Sequence, residues 1–263
     1  MKNNNNIMKT TYIFTGLFML MAIYLVGYVV LQSKKDINNT YNKRQEILAE
    51  KVVRGTIYSN DFKPLAITKI DENNKEYRYY PYNELFCHVV GSFDKGQYGL
   101  ELVHNFDLLT ANSSIVEEVV AEVNGVKLQG NSIKTTLDIK LQEICLNALG
   151  DYKGSVVIMD AMTGDVLSMV SNPYYNPNEI ANIWDDIKNS ENGVLMNRAT
   201  QGLYPPGSIF KIFTLGEFID SHKKSYIDYS YNCEGTIKFV DFSMSCSYKK
   251  PHGNVNLTSA LAN

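Results

Sequence analysis

The sequence is poor in the features that mark several protein classes. Its four cysteines in 263 residues are too few for a disulfide-stapled scaffold. It has 25 basic against 28 acidic residues, a formal net charge of -3, and no long run of either sign. It therefore lacks the basic surface typical of nucleic-acid-binding proteins, and we expect no nucleic-acid partner. An apolar fraction of 44% with 20% charged residues is ordinary for a globular protein and excludes a disordered or fibrous one.

Charge is absent from a long stretch near the N-terminus. No charged side chain occurs between Thr10 and Ser33. Because about 20 apolar residues suffice to cross a bilayer as a helix, residues 12–31 are predicted to be a single transmembrane anchor. Residues 1–11 would then form a cytoplasmic stub and residues 32–50 a polar stalk. A cleaved signal peptide or a buried core helix would show a similar run, but no small-x-small cleavage pattern follows it.

The next part of the chain carries β-strand patterns. The residues from Arg54 to Ala66 alternate up to a Ser59-Asn60-Asp61 turn, which predicts a β-hairpin. The polar residues 71–80 predict a loop, and residues 85–91 a short strand or helix. Residues 116–128 are rich in valine around Asn124-Gly125, a pattern typical of a second hairpin.

From residue 135 the pattern changes to a helix followed by a hairpin. Asp138 can cap a helix whose apolar residues recur three and four apart until Gly150. Residues 155–160 and 166–171 are rich in β-branched and apolar residues on either side of a turn, which predicts two antiparallel strands. This succession indicates an α+β domain.

The strongest chemical signal lies in the segment NRATQGLYPPGSIFKIFT, residues 197–214. Two prolines and Gly207 break the preceding structure, so we expect a helix from Ser208 to about Ile219. On that helix Ser208 and Lys211 would share one face. This is the S-x-x-K arrangement, in which the serine hydroxyl attacks and the lysine amine accepts its proton.

The lysine can act as a base only while its amine is neutral. The neighbours Ile209, Phe210, Ile212 and Phe213 would supply an apolar surround that favours this neutral form. A bare S-x-x-K match also fits a capping serine followed by an exposed lysine, so the flanking residues must decide between the two interpretations.

Five segments, in order, resemble the class B penicillin-binding proteins. Residues 197–214 resemble the family's nucleophile segment, N-R-A followed by Y-x-P-G-S-x-F-K. GSVVIMDAMTGDVLSMVSNPYYNPN resembles the opening hairpin of its transpeptidase domain. RGTIYSNDFKPLA and YPYNELFCHVVGSFDKGQYGLE resemble two boxes of its non-catalytic pedestal, and TTLDIKLQEICLNAL resembles the linking helix.

The resemblance implies an α+β chain with a single transmembrane helix, a β-rich pedestal domain over residues 51–134, and a transpeptidase domain of the serine β-lactamase-like kind from residue 135. It implies a D,D-transpeptidase in which Ser208 attacks the D-Ala-D-Ala carbonyl of a peptidoglycan stem peptide and Lys211 is the general base. No cofactor is needed for this acyl chemistry. The implied partners are stem peptides, β-lactams, the membrane, a polytopic glycosyltransferase, and division or elongation proteins. The protein would sit in the cell membrane with its bulk extracytoplasmic.

The sequence stops before the positions at which the family's second motif, S-x-N, and third motif, K-[ST]-G, are expected. Its last residues, HGNVNLTSALAN, resemble the segment just ahead of the second motif. We therefore expect residues 135–263 to be a truncated transpeptidase domain. Two other functions stay open: a non-catalytic membrane-anchored scaffold of the cell-wall synthesis machinery, and a β-lactam sensor or serine β-lactamase relative.

Three metal-binding residue types follow the nucleophile helix. Cys233, Cys246 and His252 have the spacing Cys-x12-Cys-x5-His. They could be three ligands of a structural zinc ion, with Asp241 or a residue beyond the chain as the fourth. A disulfide between the two cysteines and a pair of unlinked thiols are the alternatives.

The remaining conspicuous side chains favour structural roles. Cys87 and Cys145 lie in apolar patterns and are expected in the core. His88 and His104 are expected to be structural because the S-x-x-K mechanism uses no histidine. We expect His222 to be exposed and Trp184 to pack against a loop.

Overall fold

The computed structural model describes residues 2–37, 44–95 and 97–263. They divide into two compact units, residues 1–202 and residues 203–263. Helices and mainly antiparallel strands occur in both, which confirms the expected α+β class.

The first unit begins with helix α1, Lys2–Ile37. Within it, Ile7–Val29 is long and apolar enough to cross a membrane, with a mean hydropathy of 1.9 and no part of it buried. This stretch overlaps the anchor predicted at residues 12–31. The predicted stalk is helical at both ends, in α1 and in α2 (Arg44–Lys51), and its residues 38–43 lie outside the described residues.

A four-stranded sheet in the order β4-β3-β2-β6 forms the centre of residues 51–134. Its strands are Ile57–Tyr58 (β2), Pro64–Ile70 (β3), Glu76–Tyr79 (β4) and Ile133–Lys134 (β6). A separate parallel pair joins β1, Val52–Val53, to β5, Leu128–Gln129. Short helices α3, Gly99–Val103, and α4, Asn105–Leu108, lie between the strands in sequence, after a turn of 3-10 helix at Asn83–Phe86.

The hairpin predicted after Arg54 is present as β2 and β3, with Ile57 opposite Ala66. The loop predicted at residues 71–80 is wrong, because β4 pairs there with β3 and places Thr68 opposite Arg78. Arg78 points inward and is buried. A strand with one buried face is recognised in a sequence by alternating apolar and polar residues. A charged residue at an inward position breaks this alternation, which explains the error.

The second predicted hairpin, at residues 116–128, is also wrong. Helix α5, Ile115–Asn124, occupies most of it. Ser114 and Glu117 form a reciprocal capping box at its N-terminus, and Gly125 ends it in the left-handed conformation with φ 64°. These end signals outweigh the β-branched valines, which remain exposed on the helix.

One apolar core joins the strands to the elements that follow. Its buried members include Ile57, Leu65, Tyr80 and Leu108, together with Leu137 from beyond the sheet. The cluster therefore has residues on both sides of the domain boundary predicted at residues 134 and 135, and that boundary remains a prediction.

The predicted helix and hairpin after residue 135 are confirmed. Helix α6 is Ile139–Leu149, and the Asp138 carboxylate accepts a hydrogen bond from the Leu141 amide at 2.9 Å. Strands β7, Gly154–Met159, and β8, Val166–Asn172, pair antiparallel. The buried Gln142 side chain ties α6 to β8 through Ser168 and Met169. Helices α7, Ile180–Lys188, and α8, Arg198–Gln201, complete the unit.

The second unit contains two α-helices and two small sheets. A turn of 3-10 helix, Gly207–Phe210, leads into α9, Lys211–Ser221. Strand β9, Ser230–Cys233, pairs antiparallel with β12, Gly253–Asn256. Strands β10, Thr236–Lys238, and β11, Ser243–Ser245, form a hairpin, and helix α10 is Leu257–Ala262.

Candidate active site

The nucleophile segment forms a tight turn at the start of a helix. Gly207, which follows two prolines, has a φ of +58°, a left-handed backbone conformation. Glycine is the residue that adopts this conformation without strain. Ser208 then lies in the 3-10 turn and Lys211 is the first residue of α9. The helix predicted from Ser208 to about Ile219 is thereby confirmed.

Ser208 and Lys211 line the same pocket, which has a volume of about 370 Å³. Ser208 is exposed and Lys211 is half-buried. Tyr229 and Tyr231, near and in β9, line the pocket as well. The arrangement places a hydroxyl and an amine at one cleft that is open to a substrate. The two tyrosines were not anticipated, because no sequence pattern relates them to S-x-x-K.

The four residues that were expected to surround Lys211 are exposed. Ile209, Phe210, Ile212 and Phe213 are 67%, 55%, 64% and 70% exposed. Successive residues of a helix are rotated by about 100° around its axis, so Ile209, Phe210 and Phe213 point away from the face on which Ser208 and Lys211 are expected. Sequence proximity was therefore the wrong guide to the surroundings of the amine.

The three predicted metal-ligand residues come together at the same pocket. The Cys233 and Cys246 sulfurs are 3.4 Å apart, and the Cys233 sulfur is 3.5 Å from His252 Nδ1. All three potential ligand atoms lie within 4.8 Å of one another. Pairing of β9 with β12 explains the contact, because Gly253, next to His252, lies opposite Cys233. We call these three residues the thiol–imidazole cluster.

The two thiols differ in acidity. Hydrogen bonding from the Gly235 amide, followed by that from His252, lowers the pKa of Cys233 to about 6. A thiolate at Cys233 raises the pKa of Cys246 through their contact, and the positive charge of Lys211 opposes this effect. Lys211 thus acts electrostatically on the cluster as well as lining the pocket with Ser208.

Asp241 does not join the cluster. It lies between β10 and β11, at the tip of their hairpin, whereas Cys233 and Cys246 lie next to its base. The suggestion of Asp241 as a fourth ligand is therefore wrong for the described residues.

A second polar cluster, which the sequence did not reveal, lies buried in the first unit. Glu101 is fully buried, and its two carboxylate oxygens accept hydrogen bonds at 2.7 Å from Arg54 Nε and from Arg78 Nε. Arg54 opens the first pedestal box and Glu101 ends the second. The sequence indicated this cluster only weakly, through the presence of Arg54 and Glu101 close to apolar residues in the two boxes.

The other histidines and the tryptophan have structural positions. His88 is buried and donates from Nε2 to the Val194 carbonyl at 2.8 Å. His104 is 2.9 Å from an Asp107 carboxylate oxygen, and His222 is exposed. Trp184 belongs to α7 and stacks on Tyr98 with ring centroids 6.4 Å apart. Burial confirms the core positions of Cys87 and Cys145.

The N-R-A part of the nucleophile segment is held within the first unit. Asn197 caps α8 by accepting from the Ala199 amide, and its amide nitrogen donates to the His88 carbonyl at 3.2 Å. The Arg198 guanidinium donates to the carbonyls of Asn192 and Gly193. These contacts fix the backbone and leave neither side chain free to act on a substrate.

The chain is similar to several known proteins. Residues 154–263 match the penicillin binding protein transpeptidase domain. Peptidoglycan D,D-transpeptidase MrdA of Escherichia coli K12 is 32% identical over an alignment of 171 residues that covers 51% of this chain and 27% of the relative. The probable peptidoglycan D,D-transpeptidase PenA of Neisseria meningitidis serogroup A is 31% identical over an alignment of 166 residues that covers 56% of this chain and 27% of the relative.

A solved structure agrees in fold. The D,D-transpeptidase domain of a peptidoglycan glycosyltransferase from Eggerthella lenta has a TM-score of 0.65 and 30% identity, over 80% of this chain and 47% of that one. The chain thus spans about a quarter of the curated relatives and about half of this structure. Residues 154–263, with Ser208 and Lys211 among them, are thus similar to the penicillin binding protein transpeptidase domain, and the chain is similar to part of the peptidoglycan D,D-transpeptidases.

Proposed function

We propose that the protein is a penicillin-binding D,D-transpeptidase that cross-links peptidoglycan stem peptides through an acyl intermediate on Ser208. The observation that carries this proposal is the position of Ser208 and Lys211 at one open pocket, within the residues that match the transpeptidase domain. Because the match covers only part of each relative, their activity is assigned to this chain as a proposal.

The proposed chemistry uses two side chains. Ser208 Oγ attacks the carbonyl carbon of the D-Ala-D-Ala peptide bond while Lys211 Nζ accepts its proton. The tetrahedral intermediate collapses, the terminal D-alanine leaves with a proton on its amine, and an acyl ester remains on Ser208. An amine of a neighbouring stem peptide then attacks the ester and restores the hydroxyl. A β-lactam would form the same ester by opening its ring.

Covalent labelling of the 263-residue chain with a fluorescent penicillin tests the proposal. We expect labelling that Ser208→Ala abolishes, and labelling at least tenfold slower in Lys211→Met because the proton acceptor is lost. Ser221→Ala is the matched control, since this exposed serine of α9 bonds only to Glu217 and should label normally. Labelling that persists in Ser208→Ala would rule out Ser208 as the nucleophile.

A non-catalytic scaffold is the second candidate function. It is favoured because the core around the sheet is buried, whereas Ser208 and its apolar neighbours are exposed. A chain that takes up no penicillin, yet co-purifies with a membrane-embedded glycosyltransferase or with division or elongation proteins, would support the scaffold and contradict the enzyme. Ser208→Ala should leave such co-purification unchanged.

We also propose that the thiol–imidazole cluster holds a structural zinc ion. Two thiolates on tetrahedral zinc lie about 3.8 Å apart, and a thiolate and an imidazole nitrogen about 3.6 Å, from the usual bond lengths. The separations of 3.4 Å and 3.5 Å are close to these. A disulfide requires a sulfur–sulfur distance of about 2.05 Å, and the longer separation supports two thiols at this site. The lowered pKa of Cys233 also favours the thiolate form that binds metal.

Metal analysis of the purified chain separates zinc from a disulfide. We expect about one zinc per chain, most of it lost in Cys233→Ser and retained in Cys145→Ser, whose thiol is buried elsewhere. Zinc absent from the unaltered chain, with the two thiols resistant to alkylation until they are reduced, would establish the disulfide instead.

The proposed location is the cell membrane, with a single span at Ile7–Val29 and the remaining chain extracytoplasmic. Support comes from the proposed substrate, since peptidoglycan is cross-linked outside the membrane. In intact cells, a membrane-impermeant maleimide should label Lys224→Cys, an exposed position of the second unit. Labelling that appears only after lysis would place this unit in the cytoplasm.

A further inference from the structure

The buried cluster in the first unit contains more positive than negative charge. Arg54 and Arg78 are each 5% exposed, and Glu101 is 0% exposed. Two guanidinium groups therefore share one carboxylate at a place with little water. Leaving a buried charge without a partner costs several kcal/mol, so the additional positive charge needs a compensating group.

The hydrogen bonds show where compensation is missing. Arg54 is satisfied: Nε donates to the Glu101 carboxylate, Nη1 to Asn105 Oδ1, and Nη2 to the Glu101 carbonyl. Arg78 Nε donates to Glu101, and Nη1 donates to the Gly55 carbonyl and to Thr68 Oγ1. Arg78 Nη2 is buried and has no hydrogen-bond partner among the described residues.

A cavity of about 120 Å³ adjoins this cluster. Arg54, Thr68, Arg78 and Phe93 line it, and the Phe93 ring covers the Arg54 guanidinium at 4.5 Å. A water molecule occupies about 30 Å³ of liquid, so the cavity has room for a small ion with one or two waters. A water could accept from Arg78 Nη2, but it would bring no negative charge.

The two acidic residues that also line the cavity do not accept a hydrogen bond from Arg78 Nη2. Glu76 is engaged by Lys127, with Nζ 3.0 Å from its carboxylate. Asp94 is exposed, and no hydrogen bond joins it to Arg78 among the described residues. Partial burial, followed by repulsion from Glu101, raises the pKa of Asp94, and the charges of Lys75 and Arg78 oppose this shift.

We propose that this cavity binds a small monovalent inorganic anion of the chloride type, which accepts a hydrogen bond from Arg78 Nη2 and neutralises the cluster of Arg54, Arg78 and Glu101. The site is independent of Ser208 and of the proposed acyl chemistry. Its function is to stabilise the junction of β2, β3 and β4 with α3, because Arg54, Arg78 and Glu101 come from the segments that meet there.

Thermal unfolding of the full chain in detergent tests the site. Sodium chloride and sodium bromide are compared with sodium gluconate at equal ionic strength, since gluconate is too large for the cavity. We expect a saturable upward shift of the unfolding midpoint, about 3 °C when the halide is in tenfold excess over its dissociation constant. Equal midpoints in halide and gluconate would overturn the proposal.

Two variants make the test specific. Asp94→Asn removes a like charge at the cavity and should tighten halide binding about fivefold, whereas Asp220→Asn, an exposed acid of the second unit, should not change it. Arg78→Lys keeps the charge but removes Nη2, and should abolish the halide-dependent shift. If Arg78→Lys does not fold, the location of bromide by anomalous scattering decides. Bromide at the cavity supports the site, while bromide found only elsewhere, or an unchanged affinity in Asp94→Asn, contradicts it.

Discussion

Glu101 is a buried carboxylate that forms ion pairs with two buried arginines. It separates two guanidinium groups in a buried position and makes a salt bridge of 2.7 Å with each. Removal of the carboxylate charge would leave both arginines buried without their partner. At the scale of single residues, this is the substitution that we expect to be least tolerated among the charged side chains discussed.

We predict that Glu101→Gln lowers the free energy of unfolding by about 3–5 kcal/mol, the cost of breaking a buried ion pair. Glu122→Gln is the matched control. Its exposed pair with Lys51, in which the side chains are 69% and 59% exposed, should contribute less than about 1 kcal/mol. Denaturant unfolding of both variants measures the difference. A comparable loss of unfolding free energy in both variants would show that burial does not strengthen the ion pairs of Glu101.

His88 makes stability depend on pH. Burial lowers its pKa from the ordinary 6.5, and the Val194 carbonyl that accepts from Nε2 opposes this shift. Between the folded pKa and 6.5 the unfolded chain binds more protons than the folded one. Stability is therefore fully present above pH 6.5 and decreases as the pH falls through this window.

We predict that unfolding experiments at successive pH values will show this decrease in the unaltered chain and a smaller one in His88→Gln. His222→Gln is the control, because the His222 side chain is exposed. The same pH dependence in all three proteins would mean that another group carries the effect.

At the scale of single residues, the sequence predicted which side chains could react better than it predicted what surrounds them. Ser208 and Lys211 could be singled out because their spacing and flanking residues form a recognisable pattern. The exposure of Phe210 and Phe213 could not, since it depends on helix rotation and on which parts of the chain cover that face. The burial of Arg78 could not be predicted either, because nothing in the polar segment around it indicates that it pairs with Glu101.

At the scale of elements, β2 and the chain leading into it are packed backbone to backbone. A Cβ at Gly55 would come within 1.9 Å of the Asn131 carbonyl oxygen, and one at Gly130 within 2.0 Å of the Leu108 carbonyl oxygen. Only glycine permits such an approach. This explains the glycine of the R-G-x-I box by geometry.

We predict that Gly55→Ala destabilises the first unit by at least about 3 kcal/mol or prevents its folding, because backbone atoms cannot yield as side chains can. Gly216→Ala, in the middle of α9 with nothing within 4 Å of the added methyl, should instead be neutral or stabilising by up to about 1 kcal/mol. Unfolding curves of the two variants provide the comparison. A well-folded Gly55→Ala protein would show that the backbone around residue 55 can move enough to accommodate a methyl group.

The success of element prediction followed the strength of local signals. Helix α6 was found because Asp138 and Gly150 mark its ends and its apolar residues have helical spacing. Helix α5 was missed, although Ser114 and Glu117 form a capping box, because its valines and the Asn-Gly pair indicated strands. Strand β4 was missed because its inward residue is an arginine whose partners Thr68, Glu101 and Gly55 lie 10 to 23 residues away in sequence.

At the scale of the whole molecule, α1 is the candidate membrane span. Its stretch Ile7–Val29 is apolar, and none of its most apolar window is buried. We predict that the full chain sediments with membranes after an alkaline carbonate wash. Leu17→Arg combined with Leu25→Arg should release it, since each arginine costs about 2.5–3.5 kcal/mol near the centre of a bilayer.

Leu203→Arg is the control for this experiment. Leu203 is as apolar as Leu17 and is 98% exposed, but it lies in the second unit. It should leave membrane association unchanged. Release by Leu203→Arg, or retention of the double variant, would mean that the membrane is bound by a surface other than α1.

The parallel pairing of β1 with β5 affects how the protein can form. Val52 pairs with Leu128, 128 − 52 = 76 positions later, and Ile57 pairs with Ile133 at the same separation. A chain exported from its N-terminal end presents β1 and β2 long before their partners leave the ribosome. Strand β1, and the edge of β2 that pairs with β6, must therefore wait unpaired until about 80 further residues have been made, whereas the other edge of β2 can pair with β3 at once.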